Sequence, residues 1–273
     1  MILKRTLDAL AAVLFAAPCR VCGDALEHAG RIPICEACLE GFERIAEPLC
    51  QCCGRPFVSP LAADAAQPLC RLCRIGFYGF ERARSFAVYN DAISEAIVLL
   101  KYEGVRPLGD WFAARLAQAT IRGSGAWHAD VVVPVPLHPE RLRERGYNQA
   151  ELIARPLAKR LGLRLDPHLL ARTKPRPPRL LLSRRERWES VRGAYATRPG
   201  RKVDNLRILL VDDVMTTGAT LDACARALKK AGAAAVLGMT VARVRSWQLA
   251  PGVVSSRDPA RSPRKPDGRQ EHP

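Results

Sequence analysis

The segment from Ile208 to Thr220, with the sequence ILLVDDVMTTGAT, limits the possible folds of this chain more than any other segment. Its first four residues are apolar and predict a buried strand that ends at Val211. The alanine-rich segment Leu221–Ala231 has apolar residues at helical spacing, which predicts a helix. The order of strand, acid pair, small polar loop and helix is typical of α/β proteins, in which ligands bind beyond the carboxyl ends of the strands.

The loop between this strand and helix has the composition of a phosphate site. A helix N-terminus presents unpaired N–H groups and a partial positive charge, both of which suit an anion. Small residues permit close backbone approach and threonine hydroxyls add donors; the loop consists of Thr216, Thr217, Gly218, Ala219 and Thr220. Asp212 and Asp213 can accept hydrogen bonds from two neighbouring hydroxyls. We therefore predict a ribose 5-phosphate site, with an ordinary strand–turn–helix junction as the alternative.

Nine of the ten cysteines lie between Cys19 and Cys73, and eight of them form four Cys-x-x-Cys pairs. Eight thiolates suffice for two tetrahedral zinc sites with four cysteine ligands each. Since this segment has few large apolar residues, metal binding would supply its folding energy. Consecutive pairing predicts one structural zinc ion on Cys19, Cys22, Cys35 and Cys38, and a second on Cys50, Cys53, Cys70 and Cys73.

Other interpretations of the cysteines stay open. An interleaved, cross-brace arrangement would group the same eight ligands differently. Disulfides would need an oxidising compartment, and a thioredoxin-like redox site would use one pair rather than four. Cys52 has no partner in this pattern and could compete with Cys50 or Cys53 for metal. Cys224 lies in the predicted helix after the phosphate loop, and we expect it to be a small buried residue.

The chain has 273 residues and 48% hydrophobic content, enough for one medium domain and a small one. We predict a short amphipathic helix over 1–17, a double zinc ribbon over 18–76, an α/β domain over 77–250 and a disordered basic tail over 251–273. A secretory signal is the alternative for the first segment, but Asp8 interrupts its apolar stretch. No apolar run approaches the roughly 20 residues needed to span a bilayer.

Strand and helix patterns alternate through the larger domain, which predicts a mostly parallel sheet flanked by helices. The predicted strands are Ala83–Tyr89, Asp130–Val133, Ile208–Val211 and Ala235–Val241. The predicted helices are Asp91–Lys101, Pro107–Ile121, Asn148–Leu161 and Leu221–Ala231. Lys101 ends one of these helices, where it could reach a phosphate; an exposed lysine is the commoner case.

Positive charge is concentrated in one part of the chain. The formal net charge of +16 and the isoelectric point near 9.9 indicate polyanionic partners such as nucleic acid, nucleotides or pyrophosphate. Residues 141–201 contain 17 Lys and Arg against five Asp and Glu, a local net charge of +12. Arg145 follows a predicted strand and could fork onto pyrophosphate oxygens, while Gly146 permits close backbone approach. The basic run from Arg172 to Arg187 predicts either a mobile cover over the site or a solvated surface.

Several motifs together resemble the ComF family, in which a double zinc ribbon precedes a type I phosphoribosyltransferase-like domain. They are the four Cys-x-x-Cys pairs, VPVPL at 133–137, RGYNQA at 145–150, LLLSRRER at 180–187 and ILLVDDVMTTGAT at 208–220. The resemblance implies binding of phosphoribosyl pyrophosphate (PRPP) with Mg²⁺. It gives catalytic roles to Asp212, Asp213 and Arg145. Its implied PRPP contacts are Val211, Thr216, Thr217, Gly218, Ala219, Thr220, Gly146, Asn148 and Gln149.

The same resemblance implies a cytoplasmic protein that serves DNA uptake or nucleotide metabolism, with single-stranded DNA and a competence helicase as partners. This sequence departs from the family in the basic run, where Arg176 and Arg179 replace the usual Thr and Gln and Ser190 replaces Asn. Two hypotheses follow. One is a phosphoribosyltransferase with an unidentified acceptor; the other is a non-catalytic protein that binds nucleotides and single-stranded DNA. The low aromatic content of 6% counts against a base-stacking platform.

Overall fold

The structure is a computed structural model and describes residues 18–26, 30–57, 68–122, 127–175 and 183–245. The predicted N-terminal helix, the predicted C-terminal tail and residues 176–182 of the basic run lie outside these ranges. Within them, no helix combines the length and the apolar character that crossing a membrane requires.

A five-stranded parallel sheet forms the centre of the larger domain, as the alternating pattern predicted. With strands numbered in chain order, the sheet order is β1-β7-β6-β2-β3. These strands are β1 (Arg82–Val88), β2 (Val131–Pro134), β3 (Arg164–Leu165), β6 (Arg207–Met215) and β7 (Ala235–Arg243). The three central strands, β7, β6 and β2, are buried almost throughout, which explains the apolar runs Ile208–Val211 of β6 and Val131–Val133 of β2.

Helices cover both faces of the sheet. Numbered in chain order, α3 (Asp91–Tyr102), α4 (Pro107–Arg122) and α6 (Gln149–Leu161) pack on one face, where they contact Leu209 and Val211 of β6. The helix α8 (Ala219–Lys230) packs on the opposite face against Ile208 and Leu210. Because successive side chains of a strand point to opposite faces, β6 contributes to both cores.

Short elements fill the connections. They are the helices α1 (Glu36–Glu40), α2 (Arg71–Arg74), α5 (Pro139–Arg145) and α7 (Arg184–Glu189), and the antiparallel strands β4 (Leu170–Arg172) and β5 (Tyr195–Thr197). The sequence patterns did not predict α5, β3, β4, β5 or α7. Pro139 begins α5 and Gly146 ends it in the left-handed conformation, at φ 77°.

The strand β6 is longer than predicted. We expected it to end at Val211 with the two acids beyond it, but its ladder continues to Met215. Asp212 pairs in register with Thr240 of β7, and Met215 pairs with Arg243. Both acids therefore have a backbone fixed by the sheet rather than by a loop.

The cysteine-rich segment covers the free edge of β1. The amide of Ala83 donates to the carbonyl of Cys52 at 2.7 Å, and the amide of Val88 donates to the carbonyl of Glu43 at 2.8 Å. Residues of the first two cysteine pairs pack into the core that contains α3 and α4, and residues of the last two pack into the core that contains α8. The segment thus holds the edge strand from both faces and leaves it no open edge.

Candidate functional site

The predicted phosphate loop, residues 216–220, joins the end of β6 to α8, and its last two residues, Ala219 and Thr220, begin that helix. Gly218 is the residue before the helix and has φ 84°, a conformation that favours glycine. A Cβ there would lie 2.9 Å from Cε of Met215 and 3.0 Å from the ring of Tyr78, so a side chain has no room. A small cavity opens at this junction, lined by Asp212, Val214, Met215, Thr216, Gly218, Ala219, Thr220 and Leu221.

Two hydrogen bonds to Thr217 hold the loop in place. The hydroxyl of Tyr78 donates to the carbonyl of Thr217 at 3.1 Å. Burial raises the pKa of Tyr78 to about 12, so this hydroxyl stays a donor at neutral pH. The amide of Ala219 donates to Oγ1 of Thr217 at 3.4 Å. The threonines, the glycine and the first turn of α8 are therefore held together at one cavity, where the first-turn amides suit an anion.

Asp212 and Asp213 project to opposite faces of the sheet, and their pKa values are shifted in opposite directions. Both are more than nine-tenths buried. On the α8 side, burial and then the neighbouring charge of Asp213 hold the pKa of Asp212 well above its ordinary value. For Asp213, burial alone would raise the pKa, but the charge and hydrogen bond of Lys101 outweigh it and lower the pKa to about 2. At neutral pH, Asp213 is therefore the ionised member of the pair.

Lys101 is the main residue that the sequence analysis undervalued. We considered an exposed lysine the commoner case, but its side chain is only 15% exposed and forms an ion pair with Asp213. The residue lies in the last turn of α3, more than a hundred positions before its partner. Only the packing of α3 against the sheet brings the two together, so no local pattern could have revealed the pair.

Arg145 reaches the acid pair through Gln149. Its guanidinium donates to Oε1 of Gln149, whose Nε2 donates to Oδ1 of Asp213 at 3.1 Å. The same guanidinium lies over the ring of Tyr102, 4.9 Å from its centroid. Asp213 thus has two partners, Lys101 and Gln149, and the cationic groups of Lys101 and Arg145 lie on this side of the sheet edge.

Gly146 and Asn148 have local structural roles. Gly146 ends α5. Asn148 begins α6, where its Oδ1 accepts from the amide of Ala150 at 3.0 Å, and its Nδ2 donates to the carbonyl of Val135 at 3.0 Å. The two residues therefore fix the turn that joins Arg145 to Gln149. Val211, the remaining predicted contact, is fully buried in β6 beside Asp212.

The described part of the second basic run lies beside the phosphate loop. Helix α7 begins with a capping box in which Ser183 and Glu186 each bond to the other's backbone. The ring of Trp188 in this helix packs against Phe77, with centroids 4.9 Å apart. Since Tyr78 follows Phe77 and supports the phosphate loop, α7 is anchored next to the site.

The eight paired cysteines gather into two clusters, and in each cluster the sulfur atoms lie within 4.8 Å of one another. We call Cys19, Cys22, Cys35 and Cys38 the first cluster, and Cys50, Cys53, Cys70 and Cys73 the second cluster. The grouping is the consecutive one. Sulfur–sulfur distances of 3.8 Å between Cys22 and Cys35 and 3.7 Å between Cys53 and Cys70 match the edge of about 3.8 Å expected for tetrahedral zinc with bonds of about 2.3 Å.

Backbone amides support the thiolate form in both clusters. The amide of Cys35 lies 3.3 Å from Sγ of Cys19, and the amide of Cys70 lies 3.3 Å from Sγ of Cys50. Burial raises the pKa of Cys19, but backbone hydrogen bonds outweigh burial and lower the pKa to about 6. The donor set therefore fits zinc. Cys52 lies outside both clusters, with its Sγ 3.9 Å from the carbonyl of Phe80, and Cys224 is fully buried as predicted.

Comparison with known families agrees with this architecture. A family model described as "Double zinc ribbon domain" matches residues 10–74, and one described as "Phosphoribosyl transferase domain" matches residues 148–253. Together with the parallel sheet and the two clusters, these matches define the class: a double zinc ribbon joined to a phosphoribosyltransferase-type domain.

Relatives of the whole chain identify the family within that class. "DNA utilization protein YhgH" of Salmonella typhimurium is 32% identical over 215 residues, which cover 78% of this chain and 89% of that protein. "Competence protein ComFC" of Bacillus subtilis is 29% identical over 219 residues, covering 77% and 84%. The chain therefore belongs to the ComF family, which confirms the resemblance drawn from its motifs.

Among solved structures, the glutamine PRPP amidotransferase of Bacillus subtilis complexed with ADP and GMP is similar to half of this chain. The alignment covers 50% of this chain and 26% of that protein, at 23% identity and a TM-score of 0.34.

Proposed function

We propose that this protein binds PRPP at the carboxyl edge of its sheet, together with Mg²⁺. The observation that carries the proposal is the position of Asp212 and Asp213 beside the phosphate loop, in one strand–loop–helix unit. The first turn of α8 and the loop threonines would bind the 5-phosphate through N–H and O–H donors. Mg²⁺ would accompany the diphosphate, since oxygen ligands of that kind are the ones it prefers.

The two acids would accept hydrogen bonds from the ribose hydroxyls. Asp213 is the stronger acceptor because it is ionised, but its carboxylate is paired with Lys101 in the free protein. A ribose hydroxyl would replace part of that pairing, which leaves the ammonium of Lys101 free to turn toward the diphosphate. Asp212, with its raised pKa, can offer a protonated carboxyl that also donates.

The same residues support transfer chemistry. When pyrophosphate leaves, the bond from the anomeric carbon to oxygen breaks and negative charge collects on the departing group. Arg145, and Lys101 after its release, would stabilise that charge, while the carboxylate of Asp213 would lie near the sugar as it becomes electron-poor. Catalysis of this kind depends mainly on positioning and electrostatics.

Binding of PRPP in the presence of Mg²⁺, measured by calorimetry, tests the proposal. Replacing both Asp212 and Asp213 with Asn should weaken binding by about tenfold or more, because a hydrogen bond to a charged group contributes about 1.5–3 kcal/mol. Asp110→Asn is the matched control, since Asp110 is an exposed acid on α4 that pairs with Arg160 of α6. The proposal fails if wild-type protein does not bind PRPP or if the double variant binds it equally well.

Turnover needs a separate measurement. Labelled PRPP is incubated with a panel of nucleobases and amines, and release of pyrophosphate is followed. Release that depends on one acceptor and disappears in the double Asn variant would make the protein a phosphoribosyltransferase. Binding of PRPP without release for any acceptor would favour the non-catalytic alternative.

That alternative is a protein that binds single-stranded DNA and nucleotides for DNA uptake, with a competence helicase as partner. It is favoured by the local net charge of +12 over residues 141–201 and by the names of the relatives. Binding to an oligonucleotide should weaken steeply with salt, since each neutralised phosphate adds about 0.7 to the slope for single strands. A salt-independent affinity would contradict it.

The cytoplasm is the compartment that suits this function. All ten cysteines are free and eight are grouped for metal binding, a state that a reducing compartment maintains. Cell fractionation with an antibody to the chain tests this placement, and recovery outside the cytoplasmic fraction would contradict it.

A further inference from the structure

The second cluster and the phosphate loop are direct neighbours in the fold. Cys50, Cys53 and Cys70 belong to the same buried core as Met215 and Ala219, on the face of the sheet covered by α8. The first cluster packs on the opposite face, against α3 and α4. Only one of the two clusters therefore shares a core with the loop.

Arg243 joins the second cluster to the loop. It is the last residue of β7, it is 4% exposed, and it pairs in register with Met215 of β6. One Nη donates to the carbonyl of Cys53 at 2.6 Å and lies 3.0 Å from Sδ of Met215, and the other lies 3.9 Å from Sγ of Cys53. A single buried guanidinium thus contacts a cysteine of the cluster and the residue that precedes the loop.

Charge explains why a buried arginine is stable there. Burying a guanidinium without an opposite charge or full hydrogen bonding is strongly unfavourable. Four thiolates around one zinc ion carry a net charge of −2, and Arg243 lies against one of those sulfur atoms. The guanidinium is therefore stabilised by the loaded cluster, and hydrogen bonds to ligand sulfur in turn strengthen metal binding.

Tyr78 provides a second contact between the same parts. It follows the last cysteine pair in the chain, its ring stacks on Phe80 at 4.7 Å, and its hydroxyl holds the carbonyl of Thr217. The ring also occupies the space beside Gly218. Arg243 therefore fixes the start of the loop, and Tyr78 fixes its centre.

We propose that Arg243 is a positioning residue for the phosphate loop, and that through it the second cluster holds residues 215–220 in the conformation that accepts a phosphate. The ligand side of this inference rests on the proposed function. The coupling itself is a property of the free protein: the loop keeps its shape only while the second cluster is intact. The first cluster has no such role.

The test uses the full zinc-loaded chain with Arg243→Met and Arg243→Lys. Arg84→Met is the matched control, because Arg84 on β1 bonds to carbonyls of the same ribbon, those of Cys50, Gln51 and Cys52, but within the described residues has no hydrogen bond to the loop. Hydrogen exchange of residues 214–222 is measured without ligand. Exchange should rise by about tenfold or more in Arg243→Met, less in Arg243→Lys, and should stay within about twofold of wild type in Arg84→Met.

A spectroscopic measurement distinguishes a role of Arg243 in positioning the loop from a general loss of protein stability. In protein loaded with Co²⁺ in place of zinc, the thiolate-to-cobalt absorption reports the groups that contact the sulfur atoms. Arg243→Met should shift this absorption and lower affinity for the second metal ion by about tenfold. Unchanged loop exchange together with an unchanged cobalt spectrum would overturn the inference.

If the Arg243 variants do not fold, cysteine variants of the two clusters test the same coupling between the second cluster and the loop. Cys73→Ser should disorder the loop, whereas Cys38→Ser, the matched change in the first cluster, should leave loop exchange at the wild-type rate. Equal effects from both changes would overturn the inference. Titration of wild type and Arg243→Lys with PRPP and Mg²⁺ comes last. If wild type does not bind it, the proposed function fails, while the exchange data still decide the coupling.

Discussion

At the scale of single residues, Asp212 and Asp213 form the site's most informative contrast. They are adjacent and equally buried, but one faces α8 and the other faces Lys101 and Gln149. Burial and the neighbouring charge of Asp213 disfavour the charged form of Asp212, whereas the ammonium of Lys101 favours the charged form of Asp213. Two adjacent carboxyls whose pKa values are shifted in opposite directions can serve as a donor and an acceptor for two hydroxyls.

Asp213→Asn should lower the free energy of unfolding by about 3 kcal/mol at pH 7, because it leaves the ammonium of Lys101 buried without its partner. The folded pKa of about 2 lies below the ordinary value of about 3.9, so the wild-type contribution is fully present above pH 4 and is lost as the pH falls toward 2. Urea denaturation over a pH series measures this. A gap between variant and wild type that does not narrow below pH 4 would contradict the assigned pair.

Asp212→Asn should have the opposite effect on stability. Because the pKa of Asp212 is raised in the folded state, ionising it costs stability once the pH exceeds the unfolded value of about 3.9. The Asn variant should therefore be more stable than wild type at pH 7 and equal to it near pH 4, while it binds PRPP more weakly. The Asn side-chain oxygen can keep the hydrogen bond from the amide of residue 213. A variant less stable than wild type at pH 7 would refute this assignment.

At the scale of elements, sequence patterns predicted the long strands and helices well because each buries a regular apolar face. Apolar positions recur along α3, α4, α6 and α8, and β6 and β7 begin with the apolar segments Ile208–Val211 and Ala235–Leu237. The short elements were not predicted because they do not bury a regular apolar face. Helix α5 buries no residue, and β3 has only two residues and is held by its neighbour β2.

The candidate site divides in the same way. Its loop and acids lie in one continuous segment with a recognisable order of residue types, so sequence alone placed them. Lys101, Tyr78 and Arg243 reach the same site from distant elements, and each is unremarkable in its local sequence. Their contacts depend on how α3, the ribbon and β7 pack on the sheet, which a single sequence does not encode in any local pattern.

Gly218→Ala tests the junction between β6 and α8. A Cβ there forces a non-glycine residue into the left-handed region at about 1–2 kcal/mol and displaces Met215 or Tyr78. The control is Gly162→Ala at the end of α6, which has φ 66° but free space around it. Thermal unfolding should show a loss of stability for both, and calorimetry should show lost phosphate-ligand binding for Gly218→Ala alone. Equal binding by the two variants would exclude the loop as the ligand site.

At the scale of the whole molecule, the double zinc ribbon covers the outer edge of β1 with backbone hydrogen bonds. Carbonyl and amide groups on the outer side of β1 bond to Glu43, Ile45 and Cys52. An uncovered strand of this kind pairs readily with another chain. The ribbon therefore covers the edge of the sheet and is part of the same folded unit.

Removal of zinc should expose that edge. A high-affinity chelator should lower the melting temperature and produce aggregates that grow with protein concentration, because zinc binding supplies about 10–16 kcal/mol in small cysteine-rich domains. Light scattering and thermal unfolding follow both effects, with zinc-saturated chelator as the control. Chelated protein that stays monomeric with an unchanged melting temperature would show that the ribbon holds the edge without metal.

The neighbouring positions of β1 and β7 also govern the order in which a newly made chain can assemble. β1 is the first strand of the sheet to leave the ribosome and β7 is the last, yet they lie side by side. The ribbon can bind its metal ions and contact β1 early, but its contact with Arg243 forms only after that residue has been synthesised. During most of translation the ribbon therefore lacks the contact with Arg243 that joins it to the end of β7.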